Sequence, residues 1–391
     1  MPTEYERRGV SSTKEDVHAA LVGISAGLFP TAFCKVIPDI AGDPHSVTLM
    51  HADGAGTKSS VAYLYWKETG DAAVFRGIAQ DSLVMNLDDL ICVGAVNDFV
   101  VSNTIGRNAH RVDKEVVRAI IHGYEAFAER LRRLGFNLVN SGGETADVGD
   151  LVRTVIVDSN VCVRMPRASV IDCTQIRPGD VIVGLASGGR ARYEDEENSG
   201  IGSNGLTLAR HVLLNKVYRE RFPESFSETV PLDSVYTGPY ALRDRLPGSE
   251  REVAWGLLSP TRTYAPIIKA VLAARLDVSG IIHCSGGGQS KCLRFGQGLH
   301  FIKDALFDAP AVFRALEDCG VPRRDMYQVF NMGHRMELYC RPDAVQKAIE
   351  LSQSFGIDAK VVGRIEASPN GDSNLVTVAD RGEEQRYTLV H

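Results

Sequence analysis

SVTLMHADGAGTK, residues 46–58, predicts an α/β fold, because a short apolar strand (46–50) runs directly into a glycine turn. The turn, Asp53-Gly-Ala-Gly-Thr-Lys58, combines a carboxylate, two glycines, a hydroxyl and a cation. Glycines allow backbone N–H groups to approach a phosphate closely, and the polar side chains suit that phosphate and a magnesium ion. The spacing is neither GxxxxGK[ST] nor GxGxxG, so for this segment alone a purely structural turn is an equal alternative.

The alternation of strand and helix patterns continues along the chain. Apolar positions keep a 3.6-residue period from Arg111 to Gly135, and Gly135 is suited to end that helix. Periodicity is weak between 166 and 179, so we expect a domain boundary near residue 170 and domains at 1–170 and 171–391. The other predicted strands are 98–102, 136–140, 152–163 and 181–186, and the other predicted helices are 77–93, 206–220, 259–274 and one bracketed by Pro342 and Gly356.

The composition favours a globular intracellular enzyme. The chain has 391 residues, 44% of them hydrophobic, and a formal net charge of −6, so it lacks the basic field that nucleic-acid binding requires. It contains no apolar run long enough to span a membrane or to serve as a signal peptide, and we therefore expect a cytoplasmic protein. Eight cysteines without a CxxC pair are expected to be mostly buried thiols.

Three acidic residues, Asp81, Asp88 and Asp89, lie on the predicted helix 77–93. Asp81 and Asp89 are eight positions apart and should therefore project from roughly one face. Carboxylates among apolar neighbours repel one another unless a cation binds between them or water solvates them, and we favour the cation. Magnesium, which binds one or two carboxylates together with phosphate oxygens, suits this arrangement.

Three further segments pair glycines with polar groups. Ser141-Gly-Gly-Glu-Thr145 brings Glu144 to a predicted turn, Ser203-Asn-Gly205 precedes a predicted helix, and His283 leads into Ser285-Gly-Gly-Gly288. Each has an equal structural alternative: a tight turn, N-capping by the serine, and a packed histidine, respectively. Together with the first turn they predict several backbone-lined anion pockets beside carboxylates, as phosphoryl transfer requires.

Two polar segments receive no functional role. The acidic run 193–198 is expected to be a solvated loop rather than a metal site, since adjacent carboxylates on an extended chain point in different directions. Residues 222–252, rich in Pro, Ser, Glu and Arg, are expected to form a surface excursion.

In their order along the chain, these segments resemble the phosphoribosylformylglycinamidine cyclo-ligase family, also called aminoimidazole ribonucleotide synthetases. The resemblance extends from about residue 4 to 368, nearly the whole chain. The segments that carry it are DGAGTK (53–58), LICVGA (90–95), SGGETAD (141–147), IRPGDVIVGLAS (176–187), SNG (203–205), LLSPTRTY (257–264), IIHCSGGG (281–288) and MYQVFNMG (326–333).

The resemblance implies an α/β (α+β), two-domain aminoimidazole ribonucleotide synthetase-like fold, with an N-terminal ATP-binding domain that forms a homodimer through its sheet. It implies an active site in the cleft between the domains, with ATP and Mg²⁺ as cofactors. The implied reaction converts formylglycinamidine ribonucleotide and ATP into aminoimidazole ribonucleotide, ADP and phosphate. Phosphorylation of the formamide oxygen would precede attack by the amidine nitrogen, so the site would need charge-neutralising groups more than a nucleophile.

The resemblance also implies roles for individual residues. The catalytic residues would be Asp53, Lys58, Asp89 and His283. The nucleotide would contact Gly54, Gly56, Thr57, Asp81, Gly142, Gly143 and Glu144, and Mg²⁺ would be bound by Asp53, Asp81, Asp89 and Glu144. The substrate would contact Ser203, Asn204, Gly205, Gly286 and Gly287.

Two departures from the family pattern are visible in the sequence. Many relatives have a histidine directly before the SNG segment, where this chain has Gly202. Relatives also often have proline and aromatic residues after GGETA (142–146), where this chain continues as Asp147-Val-Gly-Asp-Leu151. One alternative is therefore a superfamily relative that phosphorylates another small acceptor, although no cysteine before Cys34 could serve a selenophosphate synthetase. The other alternative is a non-catalytic paralogue, which the retained carboxylates disfavour.

Overall fold

The computed structural model describes residues 3–11 and 20–389. The strands are β1 (Ile37–Pro38), β2 (Ser46–Gly54), β3 (Phe99–Arg107), β4 (Leu138–Asp147), β5 (Val155–Pro166), β6 (Val181–Ala186), β7 (Gly188–Gly189), β8 (Asn198–Ser199), β9 (Val278–His283), β10 (Leu299–Lys303), β11 (His334–Cys340), β12 (Ala359–Ala367), β13 (Leu375–Asp380) and β14 (Glu383–Tyr387). The α-helices are α1 (Lys58–Thr69), α2 (Phe75–Ile91), α3 (Lys114–Arg133), α4 (Leu206–Leu213), α5 (Val217–Arg221), α6 (Val253–Leu258), α7 (Ala265–Ala273), α8 (Ala311–Asp318), α9 (Arg323–Val329) and α10 (Val345–Ser354).

The N-terminal sheet has five strands in the order β1-β2-β5-β3-β4, antiparallel except for the β3–β4 pair. Helix α2 packs on β2 and β5, and α3 packs on α2. The two helices approach closely at Gly123, where a Cβ atom would lie 2.7 Å from the Cα atom of Arg76. One face of this sheet is therefore covered by helices.

The opposite face of the N-terminal sheet is open and partly apolar. Met50, Cys162, Val100 and Val139 are aligned across β2, β5, β3 and β4. Met50 is 66% exposed, Val100 46% and Val139 53%. Adjacent exposed apolar side chains of this kind are typical of a surface that another protein covers.

The C-terminal sheet has seven strands in the order β14-β13-β10-β12-β6-β11-β9. Helix α10 packs on β6 and β12 and against α7. The two halves meet through α1 and α2: α1 contacts α4 and α6, and α2 contacts α7 and β9. Helices α1 and α2 therefore lie at the contact between the two halves.

Several sequence predictions are confirmed. The α/β class is correct, α2 and β6 lie where periodicity predicted them, and α3 is followed by Gly135 at φ 82°. Pro342 and Gly356 flank α10 as expected. All eight cysteines are free thiols and six are buried, in agreement with their expected role.

Three local predictions are wrong. Residues 141–145 are not a turn but belong to β4, where a register irregularity opposite 101–103 accommodates the two glycines. The helix predicted at 206–220 is broken between Leu213 and Val217 into α4 and α5. Ser259 does not start a helix; it follows α6, its hydroxyl donates to the Trp255 carbonyl at 2.9 Å, and α7 begins only at Ala265.

Both polar segments, 193–198 and 222–252, contain more buried residues than expected. Glu194 of the acidic run is buried, because its carboxylate accepts hydrogen bonds from the buried guanidinium of Arg262 at 2.9 and 2.5 Å. In the 222–252 segment Val235, Tyr236, Leu242 and Leu246 are fully buried. The solvated-loop interpretation therefore holds only for the exposed carboxylates at 195–197, and the surface-excursion interpretation of 222–252 is wrong.

Candidate active site

The amine of Lys58 is inside the protein rather than on a pocket wall. Nζ donates to Asp81 Oδ1 at 2.8 Å, to the Ser259 carbonyl at 2.6 Å and to the Gly202 carbonyl at 3.2 Å, and both charged side chains are fully buried. Burial lowers the pKa of Lys58. In this structure Lys58 therefore cannot contact a phosphate, and its ion pair instead ties α1 and α2 to two loops of the C-terminal half.

Asp81 is the centre of this junction. Its Oδ1 atom also accepts from the Thr261 backbone N–H at 2.7 Å and from the Thr261 hydroxyl at 2.5 Å. The Ser203 hydroxyl lies 2.9 Å from that of Thr261, and the Thr57 hydroxyl 2.8 Å from that of Thr207. The DGAGTK turn, helix α2, the SNG turn and the 259–264 segment, which are far apart in sequence, thus meet at one place.

Asp89 lies between two imidazoles. His283 Nδ1 is 2.7 Å from Asp89 Oδ1, and His51 Nε2 is 3.3 Å from Asp89 Oδ2. Burial alone would raise the pKa of Asp89, but the hydrogen bonds with His283 and His51 lower it. Burial opposes protonation of His51, yet the bond to Asp89 raises the pKa of His51 to about 8. His283 is fully buried, and its Nε2 atom has no partner within the described part of the chain.

His51 was missed by the sequence reasoning, although a signal for it existed. It lies two residues before Asp53 in β2, so both side chains project toward the helix-covered face. Its Nδ1 atom is 2.9 Å from the Asn86 amide oxygen, which fixes the ring over α2. Period-two alternation from Asp53 would have identified it.

Asp81 and Asp89 do not share a cation, contrary to our interpretation. Two helical turns separate them, which is about 12 Å along the axis. Each carboxylate already has its own basic partner, Lys58 for Asp81 and the two imidazoles for Asp89. Repulsion between them is therefore relieved by side chains from other elements rather than by one shared ion.

Asp88, between them in the sequence of α2, faces the C-terminal half as well. Its Oδ1 atom accepts from the Thr263 hydroxyl at 2.6 Å, and the Tyr264 backbone N–H is 3.3 Å from both carboxylate oxygens. Burial raises the pKa of Asp88 to about 6. The nearest guanidinium nitrogen, Nη2 of Arg335, is 3.9 Å from Asp88 Oδ2.

Asp53 has a carboxylate neighbour that the sequence did not indicate. Gly54 leaves room for Asp158 of β5, since a Cβ atom on Gly54 would lie 1.8 Å from Asp158 Oδ1. Burial raises the pKa of Asp158, and the negative charge of Asp53 raises it further. In the β2–β5 register, however, Asp53 pairs with Ser159 and Asp158 pairs with Gly54, so the two side chains project to opposite faces of the sheet.

Glu144 lies apart from these groups. It is exposed on β4, the edge strand, in a row that runs Gly54, Asp158, Thr104, Glu144 across the sheet. Three inter-strand steps separate it from β2, which is about 14 Å. Glu144, with Gly142 and Gly143, therefore does not join Asp53 around one ion within a single chain.

The glycine segments assigned to the substrate do meet. A Cβ atom on Gly286 would lie 3.6 Å from the Asn204 amide nitrogen, so the SNG turn and the 285–288 loop face each other. Gly205 caps α4 in a left-handed conformation and contacts the Phe330 ring.

A separate groove of about 680 Å³ lies near the N-terminal end of α2, lined among others by Gly77, Trp255 and the 194–198 loop. Asp53, Asp89 and His283 do not line it.

Glycine turns, carboxylates and imidazoles from both halves thus converge at their junction, as in a two-domain enzyme. Residues 34–162 match the family described as AIR synthase related protein, N-terminal domain, and residues 177–375 match AIR synthase related protein, C-terminal domain. The chain belongs to the AIR synthase related protein family. It is 30% identical over 316 residues to the phosphoribosylformylglycinamidine cyclo-ligase of Methanothermobacter thermautotrophicus, a match that covers 81% of this chain and 79% of that protein.

Solved structures of low sequence identity share the fold. A structure described as the HypE-HypF complex superimposes with a TM-score of 0.55 at 13% identity, covering 96% of this chain and 99% of that chain. T. maritima PurL complexed with FGAR superimposes with a TM-score of 0.53 at 14% identity. That match covers 97% of this chain, which spans 53% of the longer PurL chain.

Proposed function

We propose that this protein catalyses the ATP-dependent cyclisation of formylglycinamidine ribonucleotide to aminoimidazole ribonucleotide, with release of ADP and phosphate, in purine biosynthesis. The observation that carries the proposal is the 30% identity to a cyclo-ligase over 81% of this chain. The convergence of the DGAGTK, SNG and HCSGGG segments supports it. A kinase for another small acceptor and a non-catalytic paralogue gain no support from these observations.

His283 is the group best suited to take the proton that the amidine nitrogen loses as it attacks. Its Nδ1–H donates to the Asp89 carboxylate, which leaves a lone pair on Nε2. That atom is buried without a partner in the residues described, and a buried polar atom of this kind is expected to contact a ligand or water. Asp89 would fix the ring and stabilise its protonated form, and His51 would hold Asp89 in place from the other side.

Of the four carboxylates that the sequence suggested for magnesium (Asp53, Asp81, Asp89 and Glu144), Asp53 is the best suited. Asp53, at the end of β2 beside the glycine turn, offers carboxylate oxygens, and Mg²⁺ bound there would neutralise the triphosphate. Gly54, Gly56 and Thr57 would lie against the phosphates. Asp81 and Lys58 would act as positioning residues, because their charges satisfy each other, and Asp89 is surrounded by imidazoles, which magnesium does not prefer.

The ribonucleotide would lie against the facing loops of the C-terminal half. Ser203, Asn204 and Gly205 would contact it at the start of α4, and Gly286 and Gly287 would contact it from the opposite loop. With a domain boundary near residue 170, the domain 1–170 would bind the nucleotide. The domain 171–391 would make most of the contacts to the substrate.

A homodimer through the open face of the N-terminal sheet is part of the proposal. The row Met50, Val100, Val139 would be buried by a second copy, and Glu144 with Gly142 and Gly143 would lie at that interface. Glu144 could then contact a nucleotide only as part of the dimer.

No helix in residues 3–11 or 20–389 is long and apolar enough to cross a membrane. We propose a cytoplasmic location in keeping with the pathway.

A coupled assay for ADP, with formylglycinamidine ribonucleotide present and absent, tests the function. ADP release should require the ribonucleotide, and His283→Asn should reduce turnover about 100-fold or more, as expected for loss of a general base. His110→Asn, on an exposed loop, serves as the matched control and should turn over normally. ADP release without the ribonucleotide would refute the cyclo-ligase assignment, and normal turnover of His283→Asn would refute the role of His283 as the general base.

A further inference from the structure

Cys34, which the proposed reaction does not use, lies against the His51–Asp89 pair. The Cys34 Sγ atom, a ring nitrogen of His51 and a carboxylate oxygen of Asp89 all lie within 4.8 Å of one another. Cys34 is 7% exposed and Asp89 8%, so these groups meet inside the protein rather than by chance on its surface. A thiolate, an imidazole and a carboxylate are the three ligand types that Zn²⁺ binds in proteins.

The hydrogen bonds of Asn86 orient the His51 ring for a role in metal binding. The Asn86 amide nitrogen donates to three backbone carbonyl oxygens at 3.1–3.2 Å, those of Asp53, Ser82 and Ser159. The Asn86 amide oxygen therefore faces His51 Nδ1, 2.9 Å away, and accepts the proton of that atom. Nε2, 3.3 Å from Asp89 Oδ2, is the ring nitrogen left for a metal. Metal-binding histidines usually donate from their second nitrogen in this way.

The Asp89 carboxylate has one oxygen for a metal and one for the protein. Oδ1 accepts from His283 Nδ1 at 2.7 Å, and Oδ2 faces His51. A metal on Oδ2 would leave the bond to His283 intact. The Cys34 thiolate and the Asp89 carboxylate would balance the two charges of Zn²⁺, as burial requires, and the protons of the Cys34 thiol and of His51 Nε2 would be released to solvent.

A second group of metal-binding side chains among the described residues, Cys284, His334 and Glu337, is less suited. Glu337 already has a counter-charge, because Lys303 Nζ lies 2.5 Å from its Oε1 atom and both side chains are fully buried. A divalent cation at this second group would lie beside a buried ammonium group. At the first group the His51 side chain is 22% exposed, which gives an ion a route of entry.

We propose that Cys34, His51 and Asp89 form a binding site for Zn²⁺, with a fourth position for water or another ligand. In a tetrahedral zinc site with bonds of about 2.0–2.3 Å, the ligand atoms lie about 3.3–3.8 Å apart. From separations of at most 4.8 Å, each ligand atom would move by about 1 Å or less. Thiolate and imidazole ligands favour Zn²⁺ over Mg²⁺. The site does not depend on the proposed reaction.

Cobalt substitution tests the thiolate ligand. Co²⁺ added to the full-length protein after treatment with a chelator should give the charge-transfer absorption of a cobalt–thiolate bond, and Zn²⁺ should abolish that absorption by displacing Co²⁺. Cys34→Ser should not show the absorption. Cys284→Ser, the matched control from the second group, should retain it. Loss of the absorption in Cys284→Ser alone would place the metal in the second group and overturn the inference.

Competition with a chromophoric zinc chelator measures the contribution of the imidazole. His51→Gln should weaken zinc binding about 100-fold or more, since loss of a partner outside the ligand set already costs about 10- to 100-fold. His110→Gln, on an exposed loop, should bind zinc as the wild type does. Because the His51 side chain is partly exposed, this variant keeps the inference testable if Cys34→Ser does not fold.

Two further results would overturn the zinc site. One is a wild-type protein that binds Co²⁺ without cobalt–thiolate absorption or does not bind it, and the other is unchanged zinc affinity in folded His51→Gln. Zinc binding through Cys34 and His51 in a protein that shows no turnover of formylglycinamidine ribonucleotide would refute the proposed function and leave the metal site standing.

Discussion

Replacing Asp81 by asparagine should destabilise the fold strongly, because it leaves the buried amine of Lys58 without its counter-charge. Both side chains are fully buried, and Asp81 Oδ1 accepts from Lys58 Nζ, the Thr261 N–H and the Thr261 hydroxyl. Asparagine retains an oxygen for Thr261 but no charge for Lys58. Breaking a buried ion pair on one side costs about 3–5 kcal/mol. Against a typical stability of about 5–15 kcal/mol, Asp81→Asn should be close to unfolding.

Urea unfolding followed by tryptophan fluorescence measures this loss. The chain has two tryptophans, Trp66 in α1 and Trp255 in α6, and these helices flank the Lys58–Asp81 pair. Adding Lys58→Met to Asp81→Asn removes the stranded charge and should restore most of the stability. A double-mutant cycle of the two changes then gives their coupling free energy.

A different result would support the role in metal binding that the sequence suggested for Asp81. If Asp81→Asn unfolds within about 0.5 kcal/mol of the wild type yet loses activity, the carboxylate acts on a ligand and the ion pair contributes little. Asp150→Asn, an exposed carboxylate in the 147–151 loop, controls for the loss of one negative charge. It should leave both stability and turnover unchanged.

Three further outcomes follow from the structure. Burial alone would raise the pKa of Glu337, but the charges and hydrogen bonds of Lys303 and His334 lower it to about 2. The ionised Glu337 carboxylate therefore stabilises the fold above about pH 4.5, and this stabilisation is lost as the pH falls through about 2. Glu337→Gln should therefore be less stable than the wild type at neutral pH. In urea unfolding at stepped pH, the difference in free energy of unfolding between the two should fall by about 3 kcal/mol from about pH 4.5 to about pH 2. If the proposed homodimer forms through the open sheet face, Met50→Lys should convert it to monomers in sedimentation experiments without unfolding the chain. Leu151→Lys, 86% exposed outside the apolar row, should not. Glu194→Gln should destabilise the protein by about 3 kcal/mol or more, because the buried Arg262 would lose its carboxylate partner.

The regular elements were predictable where one local pattern decided them. Helix α3 has a continuous 3.6-residue period and a terminal Gly135, and β6 is a short apolar run after a turn. The extended segment 260–264 was not predictable, because Asp81 and Asp88 of the other half bind its Thr261, Thr263 and Tyr264 groups. A proline after a serine suggested a helix start, and tertiary hydrogen bonds overrode that signal.

For the site, residue type and order were predictable but pairing was not. The sequence identified Asp81, Asp89 and Lys58 as functional candidates, yet it could not show that Lys58 neutralises Asp81. It also could not show that His51 and His283, 232 positions apart, bind the same carboxylate. Asp158 went unnoticed because it lies within a strand without a glycine motif, and only the β2–β5 register places it opposite Gly54.

The glycine at position 202 is explained by its neighbour in the fold, Arg335. Taken alone, glycine in place of the histidine that many relatives carry indicates a lost side chain in the site. The structure instead gives that space a neighbour, since Nη1 of Arg335 lies 3.2 Å from where a Cβ atom would be. A side chain at 202 would meet this guanidinium, so a histidine at 202 and an arginine at 335 would compete for one position. In this chain a cation from β11 therefore lies where a side chain at 202 would otherwise extend. Installing histidine at 202 should then require a smaller residue at 335, and Gly202→His alone should fold poorly.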